Sequence, residues 1–154
     1  MDAPEHWGTS ALERARRAPA DALVPHPSAR WTRAATSTAA SEHLWRRLTR
    51  LTVAPYSYDL LDNLGSPRTL TPDADHLSAG QRPLVLFVID SFVEGEHLTL
   101  RLRRPGSGLV GEFAITDAIR PDGEGRTRLV ATVLVDETRG TVGTLVRYAL
   151  AWVA

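Results

Sequence analysis

The second half of the chain alternates between apolar and polar residues, and this pattern predicts an antiparallel β-sheet. Within His97–Arg103, leucines occupy every second position, as expected for a strand with one buried face. The segments Leu109–Arg120 and Arg126–Val135 predict two further strands, joined by a glycine-containing loop that suits a hairpin. The apolar run Leu84–Ile89 predicts a strand that is covered on both faces, near the centre of the sheet.

Helical spacing precedes this sheet. A helix over about Ala40–Leu51 would place Leu44, Trp45, Leu48 and Leu51 on one apolar stripe. Pro55 should end it, because proline disfavours a helical conformation at the residue before it. A second short helix is predicted over Tyr58–Leu64.

Helical spacing returns after the sheet. The segment Glu137–Ala154 has a wide apolar face, and a helix of this kind has to be buried against another surface. A first strand is predicted at Arg30–Thr36. Together these elements predict an α+β, helix-grip fold: a curved antiparallel sheet with two short helices and a C-terminal helix packed across its concave face.

The length of 154 residues is typical of one domain. We predict that residues 1–28, which contain Pro19, Pro25 and Pro27, form a weakly structured N-terminal arm. Residues 29–154 would then form the helix-grip domain.

Charge and composition exclude several classes of function. The 18 basic residues balance 18 acidic ones, so electrostatic capture of nucleic acid or an anionic membrane is not favoured. The chain contains no cysteine, so disulfides and thiolate metal sites are impossible. No export signal and no apolar stretch approaching the roughly 20 residues of a membrane span is found. We therefore expect a cytoplasmic, bacterial-type protein without a cofactor, a metal or a nucleic-acid partner.

Several short motifs resemble bacterial members of the SRPBCC superfamily, the START-related helix-grip proteins that include polyketide cyclases and pathogenesis-related pollen allergens. The resemblance covers roughly Asp21–Trp152. It implies a cavity between the sheet and the C-terminal helix that holds an apolar ligand, and it implies little about catalysis. The motifs are A-P-Y-S-Y-D-L-L-D-N (Ala54–Asn63), S-P-R-T-L-T-P (Ser66–Pro72), L-S-A-G-Q (Leu77–Gln81), H-L-T-L-R (His97–Arg101) and T-R-L-V (Thr127–Val130).

The end of the chain departs from this resemblance. Similar proteins continue after the Ala-Trp pair of Ala151 and Trp152 with Gly-Asp and further helical turns, whereas this sequence ends at Ala154. Three interpretations stay open: a truncated product, an intact short variant with a shallower pocket, or a protein that completes its core as a homodimer through the C-terminal helix.

The expected function is the binding or sequestration of a small hydrophobic molecule, such as a lipid, a polyketide or an aromatic compound. The same side chains could equally form plain core. The candidate ligand-binding residues are Trp31, Tyr56, Tyr58, Asn63, Phe87, Leu100, Phe113, Leu145, Tyr148 and Trp152.

The alternative is an enzyme of the cyclase, aromatase or hydrolase kind that uses Asp59 or His97 as an acid or base in the same cavity. A carboxylate beside a desolvated cavity can have its pKa raised enough for this role. Helix capping and hydrogen bonding to tyrosine explain Asp59 without any reaction. We expect a binding protein rather than an enzyme.

Two other motifs have simple structural explanations. Gly106, Gly108 and Gly111 satisfy G-x-G-x-x-G, but a strand rather than a helix is predicted after them, which favours a hairpin turn over a dinucleotide site. Asp73, Asp75 and His76 could be drawn as a metal cluster, yet they lie in a polar connection where aspartate commonly caps turns.

Overall fold

A computed structural model of the chain describes residues 5–53, 79, 87–102 and 111–136, and it leaves the side chains of residues 50–53 undescribed. Six strands and three helices are present in this part of the chain. In chain order they are β1 (His6–Trp7), α1 (Ala11–Ala15), α2 (Ala20–Leu23), β2 (Ala29–Ser37), α3 (Ser41–Val53), β3 (Phe87–Val93), β4 (His97–Leu102), β5 (Phe113–Pro121) and β6 (Thr127–Val135).

The strands form one six-stranded sheet in the order β1-β2-β6-β5-β4-β3. Strands β3 to β6 form an antiparallel meander that returns across the sheet to pair with β2, and only the short β1 is parallel to its neighbour. The β5–β6 connection turns at Gly123, Glu124 and Gly125, which have left-handed φ angles of 71°, 51° and 73°. The α+β class and the antiparallel meander predicted from the sequence are therefore confirmed.

Within the described residues, the first strand of the meander lies at an edge of the sheet, where the sequence predicted a central position. The apolar run Leu84–Ile89 suggested a central strand, but β3 begins at Phe87 and is the edge of the described sheet, with residues 84–86 outside the described part. Phe87 and Ile89 are buried whereas Val88 is only half-buried. A run of apolar residues indicates that the side chains are buried. It does not indicate how many neighbouring strands pair with the segment.

Helix α3 packs on one surface of the sheet, which we call the inner face. Trp45 is buried there, and Leu44 and Leu48 pack against the same cluster, as the predicted stripe requires. This cluster forms the main core of the described residues. Its sheet members are Ala29, Trp31, Phe87, Ile89, Leu98, Leu100, Leu102, Phe113, Ile119, Val133 and Val135.

The opposite surface, the outer face, has a row of buried threonines. Strand pairing places Thr32, Thr132, Thr116 and Thr99 side by side on β2, β6, β5 and β4. Each is at most 4% exposed. The hydroxyls of Thr99 and Thr116 are 2.9 Å apart and share a hydrogen bond, a cross-strand pairing that stabilises neighbouring strands. Because this polar row is buried, another part of the chain has to cover it.

The N-terminal arm covers the outer face. Ala20 and Val24 pack on Ala114 and Leu134, and the backbone N–H of Ala20 donates to the Thr116 hydroxyl at 3.0 Å. The arm is thus more ordered than the weakly structured segment that the sequence predicted. Its elements are too short, at two to five residues, to leave a periodic pattern in the sequence.

An ion pair holds the arm to the sheet. The Glu13 carboxylate accepts hydrogen bonds from Arg128 Nε at 2.7 Å and Nη2 at 3.0 Å, and Arg128 also donates to the carbonyl of Gly8. Ser10 and Glu13 form a reciprocal capping box at the start of α1. The hydrogen bond from Arg128 is the main reason why the pKa of Glu13 is lowered to about 2.

We expect the Glu13→Gln substitution to weaken attachment of the arm by about 1–3 kcal/mol at pH 7, because the depressed pKa measures how strongly the ionised form is favoured. A lowered carboxylate pKa stabilises the folded state above pH 4.5 and loses this effect as the pH falls towards 2. Hydrogen exchange and limited proteolysis of the arm at pH 7 and pH 3 would measure the difference.

The matched control is Glu42→Gln. Glu42 pairs with Arg46 on the exposed surface of α3, with its side chain 80% exposed, so its loss should change stability by less than about 0.5 kcal/mol. A Glu13→Gln variant whose arm is as protected as that of the wild type at pH 7 would contradict the role given to this ion pair.

Candidate functional site

The structure brings together four of the predicted ligand-binding residues. Trp31, Phe87, Leu100 and Phe113 all belong to the inner-face cluster, although they come from four different strands. The rings of Phe87 and Phe113 meet edge to face, with centroids 5.6 Å apart and planes at 62°. A ligand-binding role for them stays a prediction. The other candidates, Tyr56, Tyr58, Asn63, Leu145, Tyr148 and Trp152, lie outside the described residues.

One acidic side chain interrupts this apolar face. Asp117 lies between Leu98 of β4 and Ala131 of β6, on the same side of β5 as Ile115 and Ile119. It is half-buried, and burial raises its pKa to about 6. No side chain in the described part of the chain forms a hydrogen bond or ion pair with it. Asp117 therefore changes its charge close to neutral pH, a property that is enriched at functional sites.

Sequence reasoning missed Asp117, although a signal was present. In the strand F-A-I-T-D-A-I, every second residue points to the same face. Phe113, Ile115 and Ile119 define the inward positions, and Asp117 occupies the one remaining place in that series. A carboxylate at an inward position of an otherwise apolar strand is the feature that should have been noticed.

The strand register gives the position of His97. His97 pairs with Ala118 on the outer face, because Leu98, Leu100 and Leu102 of the same strand point inward. The alternation of β4 thus separates His97 from the inner-face cluster by the thickness of the sheet. A role for His97 as an acid or base stays a prediction. The other candidate, Asp59, lies outside the described residues.

The remaining motifs give no second site on this face. Gly111 has a φ of 74° and leads directly into strand β5, so no helix follows the glycines to receive a pyrophosphate. Gly106 and Gly108 lie outside the described residues, as do Asp73, Asp75 and His76. Elsewhere in the described part of the chain, no three acidic or histidine side chains are placed to hold a metal ion.

Two further expectations remain open. None of the helices described by the structure has the length and apolar character needed to cross a membrane. The cytoplasmic location stays a prediction. The C-terminal segment 137–154 lies outside the described residues, so a homodimer through its helix also stays a prediction.

The chain is similar in fold to several solved structures. A hypothetical protein from Helicobacter pylori aligns with a TM-score of 0.51 and 12% identity, over 90% of this chain and 91% of that one. Ara h 8.0201 aligns with a TM-score of 0.49 and 13% identity, over 80% and 90%. A member of the major latex protein family from Arabidopsis thaliana aligns with a TM-score of 0.41 and 9% identity, over 80% and 88%.

These likenesses concern the fold alone, because all three identities are far below the level that shows common function. No protein-family model matches the chain, and no curated protein matches its sequence. The described sheet, with one helix on its inner face, has the α+β arrangement of the helix-grip type that the sequence predicted, and the predicted C-terminal helix itself lies outside the described residues.

Proposed function

We propose that the protein binds a small hydrophobic molecule on the inner face of its sheet. The observation that carries the proposal is an apolar surface interrupted by Asp117, a half-buried carboxylate, with the half-buried Arg33 on the same face on the far side of Ala131. Burial of an apolar ligand surface contributes about 25 cal/mol per Å², and a few polar groups then set its orientation. The fitting ligand has an apolar body, as in a lipid, a polyketide or an aromatic compound, and one hydroxyl or amine that donates to Asp117.

Asp117 favours a binding surface over a plain core. An aspartate is rarely buried without a partner, because removing its charge from water is costly. A protein under selection for packing alone would be more stable with an apolar residue between Leu98 and Ala131. Retaining a carboxylate there is explained if a bound molecule supplies the missing hydrogen-bond donor.

A second candidate function is catalysis on the same ligand. A carboxyl group with a pKa of about 6 is present in both protonation states near neutral pH, as a general acid or base requires. In this alternative, Asp117 takes the role that the sequence had offered to Asp59 or His97. A cyclase, aromatase or hydrolase reaction would use it to move a proton on a substrate held against the apolar surface.

The test distinguishes a ligand-binding surface from a packed core. We expect the purified protein to release a small hydrophobic molecule on solvent extraction, detected by mass spectrometry. We further expect Ala131→Phe, which places a ring beside Asp117, to reduce the extracted amount at least tenfold. Ala131 is only half-buried, so the added ring should occupy ligand space and change stability by less than about 1 kcal/mol.

The matched control places the same ring in a packed site. Ala114 is fully buried under the arm on the outer face, so Ala114→Phe should cost about 1–3 kcal/mol or more through overpacking. If Ala131→Phe is as destabilising as Ala114→Phe and the wild type yields no extractable molecule, the inner face is a packed core and the proposal fails.

A further inference from the structure

A separate cleft lies on the outer face, between the arm and the ends of the meander strands. Its volume is about 730 Å³. The floor is formed by β5 and β6, where Thr116 and Thr132 of the threonine row contribute, and one wall is formed by residues 16–19 of the arm. The lining comes mainly from the outer face and the sheet end, where Ile119 of the inner-face cluster and Ala40 and Ser41 at the start of α3 also reach the cleft, whereas Asp117 does not line it.

The walls of the cleft are rich in arginine. Arg16 and Arg17 come from the arm, Arg120 from β5 and Arg126 from the β5–β6 hairpin. Four guanidinium groups from three separate segments of a chain with no net charge therefore meet at one cavity. Positive charges gathered in a cleft with low-dielectric walls raise the local concentration of anions.

The carboxylates at the cleft leave most of this charge uncompensated. Glu13 is bonded to Arg128 through both of its oxygens, and Glu96 is exposed. Arg126 lies 3.7 Å from Glu124 outside the cavity, a pair exposed enough to be weak.

Arg120 is the central group of the cleft. It is half-buried, and no residue in the described part of the chain accepts a hydrogen bond from its guanidinium. Burial and then the neighbouring charge of Arg16 lower the pKa of Arg120, against a smaller opposite effect of Glu13. Arg16 is anchored close by, since Arg30 Nη2 donates to its carbonyl at 2.8 Å. Two like charges are thus held together at a cost that a bound anion would remove.

We infer that this cleft is a binding site for a phosphate group, with Arg120 as the central ligand and Arg16 and Arg17 closing over it. A planar guanidinium presents paired N–H donors that match two oxygens of a phosphate. Thr132 adds a neutral polar residue to the floor, whereas the Thr116 hydroxyl is already bonded to the Ala20 N–H and to Thr99. The phosphate could belong to a soluble organic phosphate or to a lipid headgroup, and both share this chemistry.

The experiment titrates inorganic pyrophosphate into the full chain at low ionic strength by calorimetry, because salt screens such contacts. We expect Arg120→Gln to weaken binding at least tenfold and Arg120→Lys, which keeps the charge but not the paired donors, to weaken it less. The control is Arg46→Gln, because Arg46 is an exposed arginine on α3, on the opposite side of the sheet. This variant should bind pyrophosphate as the wild type does.

Folding of the variants is checked by thermal unfolding without anion. Arg120→Gln should unfold at or above the wild-type temperature, since it removes a half-buried charge that lies beside Arg16. Arg16→Gln changes an exposed residue and provides a second test that does not depend on Arg120. Both variants should retain the molecule extracted from the inner face, which separates this inference from the proposed function.

A second experiment tests a lipid headgroup by sedimentation with vesicles. The vesicles contain phosphatidylcholine and about 20% phosphatidic acid, an anionic lipid that exposes a phosphate monoester. If pyrophosphate binding depends on Arg120 and the protein does not sediment with the vesicles, the ligand is a soluble phosphate. If the protein sediments with the vesicles and this depends on Arg120, the ligand is a lipid headgroup. The inference is overturned if neither probe binds, or if the wild type and Arg120→Gln bind pyrophosphate equally.

Discussion

Replacing Phe113 with alanine is expected to destabilise the protein by about 3–5 kcal/mol, the usual cost of removing a buried phenylalanine ring. Phe113 is only 1% exposed, and its ring packs against that of Phe87. The loss combines the transfer free energy of the ring with the cavity left between β5 and its neighbours. Urea unfolding followed by tryptophan fluorescence would measure it through Trp31 and Trp45, which are both in the cluster.

A matched variant separates volume from shape. Phe113→Leu keeps most of the apolar volume, so its cost should be closer to about 1–2 kcal/mol. Because Phe113 also belongs to the proposed ligand surface, the leucine variant should remain folded while its extracted ligand decreases. A loss of less than about 1 kcal/mol for Phe113→Ala would show that the inner face is loosely packed around this ring and would contradict the core described above.

Replacing Asp117 with asparagine is expected to have the opposite sign and to stabilise the empty protein by about 1–3 kcal/mol at pH 7.5. The pKa of Asp117 is raised from 3.8 to about 6 in the folded state, so the folded state holds this proton more tightly than the unfolded state does. Wild-type stability therefore decreases, relative to the variant, as the pH rises from about 4 to about 6. The upper end of the range corresponds to the full shift of the pKa.

The measurement is urea unfolding of both proteins at pH 4 and pH 7.5. The two should differ little at pH 4, where Asp117 is largely neutral in the folded state, and the variant should be more stable at pH 7.5. Equal stability at both pH values would mean that Asp117 is well solvated. Asp122, a half-buried carboxylate that accepts a hydrogen bond from Thr36 on the other side of the sheet, supplies the control variant Asp122→Asn.

The Asp117→Asn variant also distinguishes the two proposed functions. If the protein only binds its ligand, Asp117→Asn should weaken retention of the extracted molecule through loss of one hydrogen bond to a charged group, about 1.5–3 kcal/mol. If it is an enzyme, the variant should still bind the molecule but no longer convert it, and the wild-type rate should depend on a group with a pKa near 6. A gain in stability together with a loss of function is the signature expected of a functional carboxylate.

The sequence alone determined which residues of β4, β5 and α3 share the face that forms the inner core. The alternation in β4 and β5 and the helical stripe of α3 depend on the geometry of a few neighbouring residues, so these faces could be read locally. The alternation of side chains along a strand also predicts that Asp117 points inward and His97 points outward. In these two cases the sequence carried the information, but it was not used. The motif resemblance added the helix-grip class.

Tertiary structure decided everything that depends on distant pairing. The edge position of β3 and the row of Thr32, Thr132, Thr116 and Thr99 follow from strand order and register, which no local pattern encodes. The ordered arm depends on the contact of Glu13 with Arg128, 115 residues away in the chain. The pKa of Asp117 likewise depends on how far surrounding elements exclude water. A residue's periodicity sets the direction of its side chain, whereas its neighbours and its solvation are set by chain segments that only folding brings together.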